Sequence, residues 1–183
     1  MTFVLASASP RRAELLASAG FSFLVDPVDI DESAWPGEDP ESHVRRLARE
    51  KAAAGSRRHG GRLTVGADTV VVLDDVILGK PRDDDDARRM LESLSGRIHH
   101  VFTGVCVARN GRVLDAVDVS AVTMSAWTEA EIEQYVASGE PRDKAGAYAI
   151  QGWASRRIDR IEGSWSGVVG LPIAVVHRLL ISL

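Results

Sequence analysis

The sequence predicts an α/β protein, a mixed sheet with flanking helices. Three observations carry this. The chain opens with an apolar run, a helix signal and a second apolar run, a β-α-β order. Asp74-Asp75 and Asn110-Gly111 each sit between runs of strand-forming residues and read as hairpin turns, which adds antiparallel pairs. Helical spacing of apolar residues then recurs between the strands, which excludes an all-β domain.

Residues 2–6 are short and apolar and make the first strand. Ser9-Pro10 puts a capping hydroxyl before a proline at the first helical position, opening a helix over 10–19 that Gly20 ends. A second strand follows over 21–25, then an acidic loop over 29–40. Over 41–54, Val44, Leu47 and Ala48 share one helix face, Lys51 continues that face, and Gly55 is read as the stop. The Val-rich run 63–73 makes a buried strand that turns at Asp74-Asp75 into a partner over 76–78. Residues 83–94 read as a helix with Met90, Leu91 and Leu94 inward, and its run of aspartates, 83–86, complements the helix N-terminus. Two long strands, 98–108 and 113–124, pair around Asn110-Gly111. Thr128 and Glu131 have the spacing of a capping box and open a helix to about residue 137. The Gly-rich stretch 139–170 is read as holding short strands at 148–151 and 158–161, and an apolar helix over 171–183 closes the chain.

The length, 183 residues, suits one domain spanning 1–183. With 45% hydrophobic and 26% charged residues the composition excludes disorder as the main state. Lys and Arg number 22 against 26 Asp and Glu, a formal charge of −4, which argues against a nucleic acid polymer as partner while leaving small anions open. The longest apolar stretch, 168–176, contains Gly170 and Pro172, so no membrane span is expected. A single cysteine, Cys106, excludes an intrachain disulfide framework and every CxxC motif and fits a reducing, cytoplasmic location. It reads as core. The patterns GxxxxGK, GxGxxG, HExxH and GxSxG are absent, and the adjacent His99 and His100 face opposite sides of a strand.

Asp68 is the sharpest anomaly, a carboxylate inside the apolar run 65–72. Buried, it requires a cation or a metal; otherwise it is a strand-end turn residue capped by backbone. Gly66 and Ala67 beside it let something, such as a ligand, approach the backbone closely. Ser7-Ala8-Ser9-Pro10-Arg11-Arg12 joins a strand to a helix N-terminus, where free N–H groups attract an anion and two arginines add bidentate phosphate donors; an ordinary capped helix with solvated arginines is the plainer reading. Lys51 either points toward the sheet or snorkels to water. Lys80 precedes Pro81, which holds it extended at a strand end. Asp31 and Glu32 offer hard oxygens to magnesium from a loop that is otherwise merely acidic. Residues 143–152 put small residues around Lys144, Tyr148 and Gln151, suited to a ligand wall or to a surface loop. The Gln151 amide donates and accepts, as the imide edge of uracil or thymine requires.

These segments together resemble the Maf family of nucleoside triphosphate pyrophosphatases, also called septum-formation proteins. The resemblance runs through Leu-Ala-Ser-Ala-Ser-Pro-Arg-Arg (5–12), Arg-Glu-Lys-Ala (49–52), Gly-Ala-Asp-Thr (66–69), Gly-Lys-Pro-Arg (79–82), Leu-Ser-Gly-Arg (94–97), Asp-Lys-Ala-Gly-Ala-Tyr (143–148) and Val-Val-Gly-Leu-Pro (168–172). It implies an elongated mixed sheet with flanking helices, akin to inosine triphosphatases, whose two lobes enclose a deep central cleft. It also implies attack of water on the α-phosphorus of a nucleoside triphosphate, releasing pyrophosphate. On that pattern Asp68 accepts the proton; because phosphoryl transfer depends on positioning and charge neutralisation, Lys51 and Lys80 are the next catalytic candidates, as phosphate partners. Glu32 and Asp68 hold a divalent cation, Mg²⁺ or Mn²⁺, so that Asp68 is read as base or as ligand. Ser7, Ser9, Arg11, Arg12, Thr69, Lys144 and Gln151 contact the substrate, and Arg12, Thr69 and Gln151 match positions of substrate choice. Ala-Tyr-Ala-Ile-Gln-Gly (147–152) resembles the dTTP/UTP branch; a 7-methyl-GTP pyrophosphatase and a non-catalytic nucleotide-binding regulator of cell division are the alternatives. A homodimer is an assembly to consider. Trp153 departs from the small residues expected after Gln151-Gly152, and either stacks on a base or lines a lobe.

Overall fold

Seven strands form one mixed sheet in the computed structural model, which describes residues 2–183. In chain order the elements are β1 (Thr2–Leu5), α1 (Pro10–Ser18), β2 (Ser22–Val25), α2 (Pro40–Arg58), β3 (Thr64–Leu73), β4 (Val76–Leu78), α3 (Asp84–Leu94), β5 (Ile98–Arg109), β6 (Arg112–Met124), α4 (Glu129–Ala137), β7 (Ile158–Glu162), α5 (Trp165–Val169) and α6 (Ile173–Ser182). The strand order is β2-β1-β3-β5-β6-β7, with β4 also on β3. β1 is parallel to β2 and β3, and every other pair is antiparallel. Both hairpin turns form where expected: Asp74 and Asp75 have φ of 49° and 64°, and Asn110 and Gly111 have 49° and 80°, the left-handed pair that matches strand twist.

The two edges of β3 are paired unequally. One edge is covered along its length by β5, from Thr64 opposite Ala108 to Val72 opposite His100. The other edge is shared: β1 covers Thr64 and Val65, and β4 covers Val71 to Leu73. Among the described residues, 66–70 have no strand partner on that side. Because β2 and β3 lie on opposite sides of β1, the gap also falls where successive connections leave β1 in opposite directions, the place where open α/β sheets bind ligands.

α2 covers one face of the sheet. Asp39 caps it by accepting from the Ser42 N–H at 3.0 Å, and Val44, Leu47, Ala48, Lys51 and Ala52 make its buried face. Two glycines let it sit close. A Cβ on Gly66 would lie 2.4 Å from the Ala48 carbonyl oxygen, and one on Gly104 would lie 2.3 Å from that of Val44. The room beside Gly66 therefore belongs to the α2 backbone and not to a ligand. The main core, from Phe3 and Leu5 through Leu91 and Leu94 to Val176, lies on the opposite face.

Four local expectations change. α2 passes through Gly55, whose Cβ would meet Thr64 Cγ2 at 2.8 Å, so that glycine serves packing; the turn comes at Gly60, φ 61°. Ser9 is extended at the start of α1, but its hydroxyl makes no capping bond, so the first turn stays open to another acceptor. Residues 148–151 are not a strand: Gly146 and Ala147 at φ 66° and 59° turn the chain sharply before them, and 3₁₀ turns flank them. The last helix starts at Ile173, because Gly170 at φ 126° ends the short α5 first. The capping box on α4 and the Asp83 cap on α3 form as expected. Gly104→Ala should cost about 1–3 kcal/mol by overpacking against α2, read as a lower midpoint in urea denaturation, whereas the same change at Gly79, which has open space around it, should leave the midpoint unmoved.

Candidate active site

The gap on the β3 edge opens into a cleft of about 680 Å³. Asp68 points from β3 toward the α2 face, where Lys51 lies about two helical turns beyond Val44. Lys51 Nζ donates to Asp68 Oδ1 at 2.7 Å and pairs with Glu32 Oε1 at 2.6 Å. Lys51 and Asp68 are 6% and 8% exposed, so of the two readings of each the buried one is realised: Lys51 points toward the sheet, and Asp68 has a cationic partner. Glu32 reaches in from the 26–39 loop and is half-exposed. Its burial raises its pKa, but the Lys51 hydrogen bond and the charges of Lys51, Lys80 and Arg12 outweigh that and hold it below the usual carboxylate range.

Arg12 fills the strand gap from the other face. The Val65 carbonyl accepts from Ala6 N at 2.9 Å. The Ala67 carbonyl, two residues on, points to the same edge beyond the end of β1 and accepts from Arg12 Nη1 at 2.8 Å. Arg12 Nη1 also donates to Ser7 Oγ at 3.0 Å, Nη2 to Thr69 Oγ1 at 3.1 Å, and Nε to the Gly170 carbonyl at 2.8 Å. Thr69 Oγ1 lies 3.0 Å from Thr103 Oγ1, which donates to the Gly167 carbonyl. Four of the five guanidinium N–H groups are thus engaged. The bidentate phosphate fork read from the sequence is closed to Arg12; it orders Ser7 and Thr69 instead. Burial draws its pKa down, opposed by the charges of Asp68 and Glu32.

Arg11 crosses the cleft to Asp143, Nη1 to Oδ2 at 3.2 Å, and Lys144 Nζ donates to Asp143 Oδ1 at 2.6 Å and to the Glu140 carbonyl at 2.7 Å. Lys80 is exposed on the cleft wall, and its loop is tied to the Lys144 segment by Gly146 N donating to the Gly79 carbonyl at 3.0 Å. Ser7, Ser9 and Gln151 also line the cleft, so every residue singled out for catalysis, substrate or metal except Asp31 lines this one space. Gln151 is exposed, with no hydrogen bond on its amide among the described residues. Trp153 lies outside the cleft lining and stacks on Tyr135 at 5.5 Å between ring centroids, with Trp127 at 5.2 Å, so it braces the loop from behind.

Five Lys and Arg and three Asp and Glu line the cleft. It is therefore net positive inside a chain of charge −4, as a site for a polyanion requires. Among the described residues no three His, Cys, Asp or Glu side chains converge as a complete metal cage. Glu32 and Asp68 do converge on one ammonium, and a pair of hard carboxylates suits a divalent cation that draws its other ligands from water and phosphate. Asp31 bonds the Ser33 N–H instead.

Sequence reasoning missed Glu38, Arg46 and His43, which fix the loop that carries Glu32. Arg46 Nε and Nη2 donate to the two oxygens of Glu38 at 2.7 and 2.8 Å, and Nη2 reaches the Ser33 carbonyl at 3.0 Å. His43 Nδ1 is 2.9 Å from Glu38, and the Trp35 N–H donates to it at 3.1 Å. The available signal was an Arg on the helix facing an acidic loop, too common a pattern to single out. His99, buried beneath the cleft, bonds Tyr148 Oη at 2.7 Å, and burial with His100 nearby holds it neutral, its pKa at about 4.

The chain belongs to the family of Maf-like proteins, whose model matches residues 2–183. It is 53% identical to a dTTP/UTP pyrophosphatase from Anaeromyxobacter dehalogenans, over 97% of this chain and 91% of that one. The dTTP/UTP pyrophosphatases of Citrifermentans bemidjiense and Pseudoalteromonas atlantica are 51% and 49% identical, over 96% and 97% of this chain and 92% and 94% of theirs. A solved structure of a HAM1 protein from Coxiella burnetii shares the fold, with TM-score 0.56 at 15% identity over 100% of this chain and 98% of that one.

The Arg46 fork, with His43 and the Trp35 N–H adding to it against the cost of burial, holds Glu38 at about 2. A depressed carboxylate contributes stability that is complete above its ordinary value near 4.5 and is lost as pH falls toward 2. Urea denaturation midpoints should therefore fall steeply between pH 4.5 and 2, and Glu38→Gln should flatten that stretch while lowering stability at pH 7.

Proposed function

We propose that this chain hydrolyses dTTP and UTP to the monophosphate and pyrophosphate, as one catalytic unit over its whole length. The observation that carries this reading is the buried Lys51 joining Asp68 and Glu32 at the unpaired edge of β3, facing a net-positive cleft. The identity to pyrophosphatases of that name supports the pyrimidine substrates. The triphosphate lies along the cleft toward Arg11, Lys80 and Lys144, with the open first turn of α1 offering N–H groups to phosphate oxygens. Asp68, oriented by its hydrogen bond from Lys51, accepts a proton from the water that attacks the α-phosphorus. A P–O bond forms to that water, the bond from the α-phosphorus to the bridging oxygen breaks, and pyrophosphate leaves with the electron pair. Lysines and arginines offset the charge that collects on the leaving oxygens, which is most of what phosphoryl transfer asks of a protein. Glu32 and Asp68 would hold Mg²⁺ or Mn²⁺, which supplies further charge neutralisation at the phosphates. The Gln151 amide reads the imide edge of the base.

Pyrophosphate release from a panel of nucleotides, with Mg²⁺ or Mn²⁺ and with chelator, tests this. UTP and dTTP should be cleaved and chelator should abolish release; turnover of 7-methyl-GTP alone would move the chain to a different substrate branch. Asp68→Asn should cut kcat about 10²–10⁴-fold while nucleotide binding, measured by calorimetry, persists. A binding regulator without catalysis would instead bind nucleotides and release no pyrophosphate. Gln151→Glu should lower kcat/KM for UTP about tenfold or more, since it removes a donor and adds a charge beside an anion; equal losses across all bases would show that Gln151 does not read the base.

A further inference from the structure

Gln151 sits in a stretch that is itself neither strand nor helix, yet the selection proposed for it needs a fixed side chain. One carboxylate secures the backbone on both sides. Glu140 Oε1 accepts from Tyr135 Oη at 3.0 Å, and Tyr135 Oη in turn accepts from the Ala149 N–H at 3.2 Å. Glu140 Oε2 accepts from the Trp153 N–H at 3.4 Å. The two anchored amides lie two residues before and two after Gln151. Gly152 fits between because it lacks a Cβ, which would fall 1.9 Å from Glu140 Oε1. Tyr135 is almost wholly buried, and Trp153 stacks on its ring, so the anchor cannot drift. Neither Tyr135 nor Glu140 lines the cleft.

We infer that Glu140, acting directly and through the Tyr135 hydroxyl, is a positioning residue for base selection: it fixes Gln151 at the cleft edge without touching the nucleotide. The inference rests on the pyrimidine reading of the site. Glu140 belongs to the segment whose carbonyl also holds Lys144, so the base-reading loop and one phosphate-facing lysine share a support. Tyr135→Phe keeps the ring and its stacking while deleting both hydroxyl bonds, and Glu140→Gln replaces one acceptor oxygen by a donor facing another donor.

The test compares kcat and KM for UTP, dTTP, CTP, GTP and 7-methyl-GTP. Each variant should raise KM for UTP about tenfold with kcat nearly kept, and should lower the preference for UTP over GTP by a similar factor. Hydrogen exchange at the Ala149 and Trp153 amides should quicken. In a Gln151→Ala background, Tyr135→Phe should change the preference no further, because its effect passes through Gln151. Thermal melting confirms folding, and Glu140→Gln carries the test if the Tyr135 variant does not fold. Unchanged preference in a folded variant, or an equal loss with and without Gln151, overturns the inference and leaves the pyrimidine reading standing. A wild-type protein that releases no pyrophosphate from UTP or dTTP overturns both.

Discussion

A strand that is paired along one edge and only at its two ends along the other is the constraint on which the rest depends. β1 stops at Leu5 and β4 begins opposite Leu73 and ends opposite Val71, so the middle of β3 has backbone groups that must find partners elsewhere. The side chain of Arg12 meets that demand at Ala67, and the same interruption exposes the Asp68 position to a cleft. Filling the gap with a longer neighbouring strand would satisfy the backbone and close the site. The protein keeps the gap and covers its hydrogen-bonding need with a charged side chain that also shapes the cleft.

On the α2 face, placement is governed by contact distance. Gly66 and Gly104 bring the helix backbone onto the sheet, and this proximity lets a lysine on an apolar stripe reach Asp68 instead of curling away to water. A buried ion pair is costly to assemble and costly to break by removing one partner. Lys51 is matched to two carboxylates, of which Glu32 remains half-exposed, so the cluster is anchored at its buried end and adaptable at its open one.

Much of this was legible in the sequence. The hairpin dipeptides, the capping box, the Asp83 cap and the Val-rich β3 depend on local chemistry, and the structure realises them. The cleft residues could be named because each was locally anomalous, an acid among valines or an arginine at a helix start. What stayed hidden depends on long-range contact. Gly55 reads as a stop until Thr64 is seen against it, Arg12 reads as a phosphate fork until Ser7, Ala67, Thr69 and Gly170 are seen around it, and residues 148–151 have strand-like side chains, but the Ala149 N–H goes to the Tyr135 hydroxyl and not to a strand. Glu38 and Arg46 carry only a signal too common to single out, an arginine on a helix facing an acidic loop.

The bonds of Arg12 also order events in time. They join α1 to Ala67 and Thr69 and then to Gly170, sequence separations of 55, 57 and 158 residues. During synthesis the start of α1 emerges early and cannot complete its contacts until almost the whole chain has followed. Parts of the sheet can pair earlier through the β3–β4 and β5–β6 hairpins, whose contacts are local. The cleft therefore cannot be completed before the C-terminal segment emerges, since a chain that stops short of Gly170 leaves Arg12 without its last acceptor.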